Sequence, residues 1–146
     1  MKKSYEQFVR IKRWRNRFED AELEKMVSDD PRYYEDVLLT LFENCWHLKD
    51  WLIASDELDK NTVDDFFHNN PYMKLCQSLA IGSKHLEPKD PRVTKIRTFR
   101  PTQTNKIDKR SFNVLTENGK VVDAYELAKK CIQECGDFLV RQKVIR

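Results

Sequence analysis

The chain has 146 residues, a formal net charge of +3 and a charged share of 35%, and 40% of its residues are hydrophobic. These values are typical of one globular domain, and the presence of only three glycines argues against a loop-rich or all-β fold. No apolar run reaches about 18 residues, and the first residues lack the hydrophobic core of a signal peptide. We therefore expect a cytoplasmic protein that does not span a membrane.

The first helix is predicted from about Tyr5 to Val27. Ser4, followed three residues later by Gln7, has the form of a capping box, and apolar residues then recur at helical spacing. Basic residues flank this apolar stripe on both edges. They are Arg10, Arg13 and Arg17 on one edge and Lys12 and Arg15 on the other.

A second helix is predicted to begin at Pro31, with Asp30 as its cap, and to continue to about Ala54. It is expected to be the central helix, because apolar residues cover most of its circumference. A narrow polar sector remains on this helix. It carries Asn44, His47, Asp50 and Trp51.

Two shorter helices follow in the prediction. The first starts at Asn61 or Thr62 and ends before the next proline. Asn70 as cap and Pro71 as first helical residue then predict the second, which ends near Lys84 because prolines follow it.

The residues after these helices have the pattern of β-structure. A β-branched, alternating segment predicts a strand from Val93 to Arg100. Asn118-Gly119 between two β-rich runs is typical of a two-residue hairpin turn, which would pair Leu115 with Val122. We expect a β-rich insertion over residues 92–123.

Asp123 and Glu126 have the spacing of a helix start, and an apolar face continues from there to about Arg141. The whole pattern predicts a mainly α fold in a single domain over residues 1–146. It would be a helical bundle of about four to five helices, with a small antiparallel β-hairpin inserted before the C-terminal helix.

His47 and Asp50 have a spacing at which the carboxylate can fix the imidazole tautomer, as in a general base. If the neighbouring helices are antiparallel, Lys84 and His85 could join them in one catalytic pocket. The alternative is structural: His47 hydrogen-bonds inside the bundle, and Lys84 and His85 only complement the dipole at a helix C-terminus.

Cys131 and Cys135 lie one helical turn apart, so both could bind a metal ion with Cys76 or His85. The alternative is that all four cysteines, including Cys45, are reduced core residues on apolar helix faces. The sequence favours core packing, and we expect neither a metal nor a cofactor.

Basic residues concentrate in the C-terminal part. Residues 1–86 hold 13 Lys/Arg against 16 Asp/Glu, and residues 87–146 hold 14 against 8, so the net charges are −3 and +6. The predicted nucleic-acid contacts lie in this part: Lys95, Arg97, Arg100, Lys106, Lys109 and Arg110. With the basic edges of the first helix they could form an electrostatic footprint for phosphates, or they could be a solvated surface.

Several motifs support a family resemblance. Residues 44–51, NCWHLKDW, residues 83–86, SKHL, and a closing strand, Asn-Gly turn, strand and DAxxLA helix resemble a group of small bacterial helical-bundle proteins to which no activity is assigned. More distantly, a bundle with a histidine ending a core helix is similar to the HEPN superfamily, many of whose members are dimeric ribonucleases.

The HEPN catalytic signature is an arginine followed after four to six residues by a histidine. No arginine stands at that spacing before His47, His68 or His85, so the resemblance implies a non-catalytic or differently catalytic relative. The sequence therefore favours a homodimeric binding protein, whose partner would be nucleic acid or an acidic protein. The alternative hypothesis is a small ribonuclease or hydrolase that uses His47, Asp50, Lys84 and His85.

Overall fold

The computed structural model describes residues 3–24, 31–82, 93–98, 112–116 and 121–145. Within these ranges the chain is mainly helical, which confirms the predicted class. The helices are α1 (Lys3–Glu24), α2 (Pro31–Ala54), α3 (Lys60–Asn69), α4 (Pro71–Gly82) and α5 (Ala124–Arg141), and the strands are β1 (Val93–Thr98), β2 (Phe112–Thr116) and β3 (Val121–Asp123).

Helix α2 is the centre of the bundle, as its apolar pattern predicted. It contacts each of the other four helices. The residues of its apolar stripe are fully or almost fully buried: Leu41, Phe42, Cys45, Leu48 and Leu52. Since most of the circumference is apolar, burial on several sides is the arrangement that removes the most hydrocarbon surface from water.

Helix α1 lies against α2, but the predicted capping box is wrong. Ser4 is already helical, and its backbone N–H and its hydroxyl both donate to the Glu57 carboxylate. The Gln7 amide donates to the backbone carbonyl oxygen of Asn44 over 2.8 Å. Both side chains are buried, so they satisfy polar groups between elements distant in sequence instead of capping their own helix.

Helix α3 begins one residue earlier than the prediction of Asn61 or Thr62. Asp59 is its N-cap, and the Asp59 carboxylate accepts a hydrogen bond from the backbone N–H of Thr62 over 3.3 Å. An aspartate at this position satisfies one of the free N–H groups of the first turn. The helix buries Val63, Phe66 and Phe67 against the core.

The predicted caps of α4 and α5 are confirmed. Asn70 Oδ1 accepts hydrogen bonds from the backbone N–H groups of Tyr72 and Met73, over 3.0 and 3.2 Å. The Asp123 carboxylate accepts from the N–H of Glu126 over 2.9 Å. These side chains fix where each helix starts, and thereby which residues of the helix face the core.

The three strands form an antiparallel sheet in the order β1-β2-β3. Val114 pairs with Val122 and Leu115 with Val121, so the predicted pairing of Leu115 with Val122 is wrong by one residue. The predicted turn at Asn118-Gly119 lies within residues 117–120, outside the described ranges.

Aromatic rings join α3 to α5 and to α2. The Phe66 ring of α3 and the Phe138 ring of α5 are stacked at 4.1 Å with an angle of 7° between planes, and Phe67 of α3 meets Trp46 of α2 edge to face at 5.7 Å. Such pairs stabilise a core beyond the area that they bury.

No helix in the described ranges has the length and apolar character needed to cross a bilayer.

Candidate functional site

Helix α1 displays a dense group of cations. Residues 10–17 contain five basic side chains and no acidic one. Arg10, Arg13, Trp14 and Arg17 lie at helical spacings of three and four and so share one face, which we call the arginine face. Its three arginines are exposed and Trp14 is half-buried. Among the described residues, no carboxylate forms an ion pair with these arginines.

Two arginines of this face rest on tryptophan rings. The Arg17 guanidinium lies 5.4 Å from the centre of the Trp14 ring, and the Arg10 guanidinium lies 5.5 Å from that of Trp51 on α2. Arg10 Nη1 also donates to Gln7 Oε1 over 2.9 Å. Contacts of this kind restrict the guanidinium without neutralising its charge. The arginine face therefore offers positive charge that is partly fixed in position.

A groove of about 370 Å³ lies between α1 and α5, behind the arginine face. It is lined by cations from both helices, Lys12, Arg15 and Lys129, and by the carboxylates of Glu19 and Asp137. Lys12 lies over the Phe8 ring at 4.7 Å. The groove is open and its charge is mixed, so it adds to the positive potential of α1 without forming an enclosed pocket.

The predicted catalytic pocket is only partly within the described residues. His47 is half-buried on α2, and Asp50 is exposed one turn later, where it lines a shallow cavity of about 290 Å³ with Trp51. In the part of the chain that the structure describes, no hydrogen bond or ion pair joins His47 to Asp50. Lys84 and His85 lie outside that part, so the four-residue pocket stays a prediction.

His68 is exposed, and it has a partner on α2. Lys49 Nζ lies 3.0 Å from His68 Nε2 and 3.6 Å from the Asp64 carboxylate. The Trp46 ring lies beneath this group, 5.4 Å from Lys49 Nζ. The cluster ties α3 to α2 at the surface, where such pairs contribute about 0–1 kcal/mol.

All four cysteines lie in the core. Cys76 Sγ on α4 donates to the backbone carbonyl oxygen of Phe42 over 3.3 Å, Cys131 Sγ on α5 donates to that of Tyr72 over 3.5 Å, and Cys135 Sγ lies 3.9 Å from the Met73 sulfur. All four thiols are reduced and fully buried. The sequence predicted buried, reduced thiols for all four cysteines, including Cys45, and their burial in the core confirms this.

The contacts make the four thiols unequal. Interactions with the neighbouring thiols of Cys135 and Cys76 lower the pKa of Cys45 from 9.0 to about 5, against the opposing effect of burial. Burial and the neighbouring thiols raise the pKa of Cys76 well above its ordinary value, and the contact with Cys45 together with burial does the same for Cys135. Cys45 is thus the thiol of the group that ionises first.

A metal site with three or more ligands is not formed by the described residues. No group of three histidine, cysteine, aspartate or glutamate side chains in the described ranges is arranged to hold one ion. This includes the predicted alternative of Cys131, Cys135 and Cys76 as a tetrahedral zinc set, while His85 lies outside the described residues. Zinc sites in proteins normally take four ligands.

The predicted nucleic-acid contacts of the C-terminal part are described only in part. Lys95 and Arg97 belong to β1 and pair along the backbone with Leu115 and Asn113. The remaining four, Arg100, Lys106, Lys109 and Arg110, lie outside the described residues. Their role in binding stays a prediction.

Comparisons with protein-family models, with curated proteins and with solved structures find no match to this chain. The resemblance to the small bacterial bundle proteins and to the HEPN superfamily therefore stays a prediction. So do the homodimer, the acidic-protein partner and the cytoplasmic location.

Proposed function

We propose that this protein binds nucleic acid through the arginine face of α1. The observation that carries the proposal is the group of three exposed arginines, two of them resting on tryptophan rings, without ion-pair partners among the described residues. A lone surface cation usually has a mobile side chain and a nearby carboxylate. Here the cations are concentrated and partly preorganised, which suits contacts with successive phosphates.

The chemistry of this face favours contacts with phosphates over recognition of particular bases. Guanidinium groups bind phosphate oxygens in a bidentate manner, and contacts of this kind position a nucleic acid without reading its sequence. Trp14 adds an aromatic surface, which in single-strand binding proteins stacks on bases of any kind. The proposal is therefore binding with little sequence preference and a strong dependence on salt.

A second basic region is proposed to extend this surface. Because β1 and β2 are antiparallel neighbours, with Thr98 opposite Phe112, residues 99–111 connect adjacent strand ends. This connection contains Arg100, Lys106, Lys109 and Arg110, and Lys95 and Arg97 precede it in β1. We further infer that β2 and β3 form a hairpin, which their antiparallel pairing supports.

The test is a binding titration of a short oligouridylate across a salt series, with wild type beside the double variant Arg13→Gln/Arg17→Gln. The control is Lys60→Gln/Lys130→Gln, which removes the same charge from exposed positions on α3 and α5. The slope of log affinity against log salt is negative, and it should become shallower by about 0.7 for each phosphate that the protein no longer neutralises. We expect the arginine variant to neutralise one or two phosphates fewer than the wild type, and the control to keep the wild-type slope.

Equal effects of the two variants would show that net charge alone matters and that α1 is no interface. Absence of binding by the wild type would refute the proposal and direct attention to an acidic protein partner. The variant Arg97→Gln/Arg100→Gln tests the second region in the same assay. If Arg97→Gln/Arg100→Gln loses binding while Arg13→Gln/Arg17→Gln keeps it, the interface lies in the C-terminal part and not on α1.

A further inference from the structure

A small cavity adjoins the arginine face where the first residue of α1 lies beside the end of α2. It has a volume of about 290 Å³, and its lining consists of Lys3, Asp50, Trp51, Ala54 and Ser55. Trp51 connects the cavity with the arginine face, because the Arg10 guanidinium lies 5.5 Å from the centre of its ring. A ligand in this cavity would therefore adjoin the cations of the arginine face.

The cavity carries charges of both signs. The Asp50 carboxylate is exposed, and among the described residues it has no hydrogen-bond or ion-pair partner. Lys3 contributes a cation to the lining, and Arg10 adds a second beside Trp51. A cationic ligand would be repelled by these two groups, and a free phosphate would be repelled by Asp50. The arrangement suits a neutral group that donates hydrogen bonds to the carboxylate and is itself attached to a phosphate.

We propose that this cavity binds one guanine base of a single-stranded nucleic acid whose phosphates lie on the arginine face, which rests on the function proposed above. An ionised carboxylate only accepts hydrogen bonds. Guanine carries two adjacent donors on its Watson–Crick edge, N1–H and the N2 amino group, and these match the two oxygens of Asp50. Uracil presents its single N3–H between two carbonyl oxygens, which the carboxylate repels.

The ring of Trp51 provides the second half of the base site. Unpaired bases of single strands stack on aromatic side chains, and the Arg10 guanidinium over this ring restricts its orientation. A volume of about 290 Å³ is close to the lower end of small-molecule sites, about 300 Å³, so the cavity suits one base. The arginine face contacts phosphates regardless of sequence, and the cavity adds a preference at one nucleotide.

The test compares two oligonucleotides of equal length and charge, an oligouridylate and the same chain with one central guanosine. The wild type should bind the guanosine-containing chain about tenfold more tightly, since a good bidentate contact discriminates between bases by roughly this factor or more. Asp50→Asn should reduce the ratio of the two affinities to about one, because the amide replaces one acceptor by a donor. Asp50 is exposed, so the substitution leaves the core intact, and circular dichroism verifies this.

The matched control is Asp36→Asn, which removes the same charge from an exposed position of α2 outside the cavity. It should keep the wild-type ratio of affinities. A third oligonucleotide tests the base contact without any variant. Inosine in place of the guanosine lacks only the N2 amino group, and it should lose most of the preference.

The outcomes separate the cavity from the arginine face. Oligouridylate contains no guanine, so its salt-dependent binding tests the arginine face, and the ratio of affinities tests the cavity. Equal affinity of the wild type for both chains would overturn the guanine site and leave the proposed function standing. So would a preference that persists in Asp50→Asn or with inosine, or one that Asp36→Asn also loses. Binding of neither chain would refute the proposed function and the guanine site together.

Discussion

Cys45 on α2 and Cys135 on α5 are neighbouring buried thiols of the core. Their interaction has opposite effects on the two groups: it lowers the pKa of Cys45 and raises that of Cys135. The neighbouring thiol of Cys76 acts on Cys45 in the same direction. Cys45 is thereby the thiol that ionises first, and the stability of the protein should depend on pH.

We predict that the free energy of unfolding rises with pH between about 5 and 9. The Cys45 pKa is about 5 in the folded chain against an ordinary value of 9.0, so between these values the unfolded chain holds the additional proton. Above pH 9.0 the raised pKa values of Cys76 and Cys135 reverse the trend, because the unfolded chain then releases protons that the folded chain keeps.

The measurement is guanidinium unfolding over this pH range, with reductant and a metal chelator present. Cys45→Ala should lose most of the rise, and Cys131→Ala should keep it, because the two thiols that lower the pKa of Cys45 remain. A Cys45→Ala curve parallel to that of the wild type would show that this thiol is not ionised in the folded protein.

The helices were the predictable part of this molecule, because the signals that define them are local. Asn70 followed by Pro71 marks the start of α4 from the residues alone, and the apolar stripe of α2 predicts its central position. Contacts between elements were not predictable in the same way. Ser4 and Gln7 match a local capping pattern, but Glu57 and Asn44, which are far away in sequence, take up their hydrogen bonds.

The candidate sites show the same division between local and long-range signals. The basic edges of α1 are evident from the spacing of Arg10, Arg13 and Arg17, but the stacking of Arg10 on Trp51 depends on how α1 lies against α2. The sequence grouped Cys131 with Cys135 because they share a helix. The proximity of Cys45 to Cys135 arises only when α2 and α5 come together, and no pattern within either segment encodes it.

The buried amide of Gln7 provides a test of the contact between α1 and α2. Gln7→Ala removes the donor to the Asn44 carbonyl oxygen and the acceptor for Arg10, and should lower the free energy of unfolding by about 1–3 kcal/mol. Gln133→Ala is the control at an exposed position of α5 and should change it by less than about 0.5 kcal/mol. Urea unfolding of the two variants decides between a structural hydrogen bond and an incidental one.

Asn70 has two separable roles at the start of α4. Its Oδ1 caps the helix, and its Nδ2 donates to the Glu134 carboxylate on α5 over 3.1 Å. Asn70→Ala should destabilise the protein by about 1–2 kcal/mol through loss of the cap. Asn70→Asp keeps the capping oxygen but places a second carboxylate beside Glu134. This variant should therefore also be less stable than the wild type at neutral pH.

The charge explanation for Asn70→Asp is checked with Glu134→Gln, which provides an amide donor in place of the repelling carboxylate. The double variant Asn70→Asp/Glu134→Gln should recover most of the loss seen in Asn70→Asp alone. Thermal unfolding at low and at high salt provides a second readout, since repulsion between partly exposed carboxylates weakens with screening. Without recovery in the double variant, the defect would lie in the cap geometry.

Gly136 on α5 is packed closely against Phe8 of α1. A Cβ at this position would lie 3.1 Å from Phe8 Cζ, which is tighter than an ordinary contact, and the Phe8 side chain is buried. In a helix interior, Gly→Ala normally stabilises by about 0.8–1 kcal/mol. Here crowding opposes that gain, so we expect Gly136→Ala to leave the free energy of unfolding unchanged or lower.

The opposing contact can be removed by shortening the aromatic side chain. Leucine at position 8 lacks the ring tip that the new methyl group would meet, so in a Phe8→Leu background Gly136→Ala should stabilise by the full helix-propensity gain of about 0.8–1 kcal/mol. Phe8→Leu alone will cost stability, which makes the double-mutant cycle, and not any single variant, the informative quantity. If Gly136→Ala has the same effect in both backgrounds, crowding by the Phe8 ring is not what opposes a side chain at position 136.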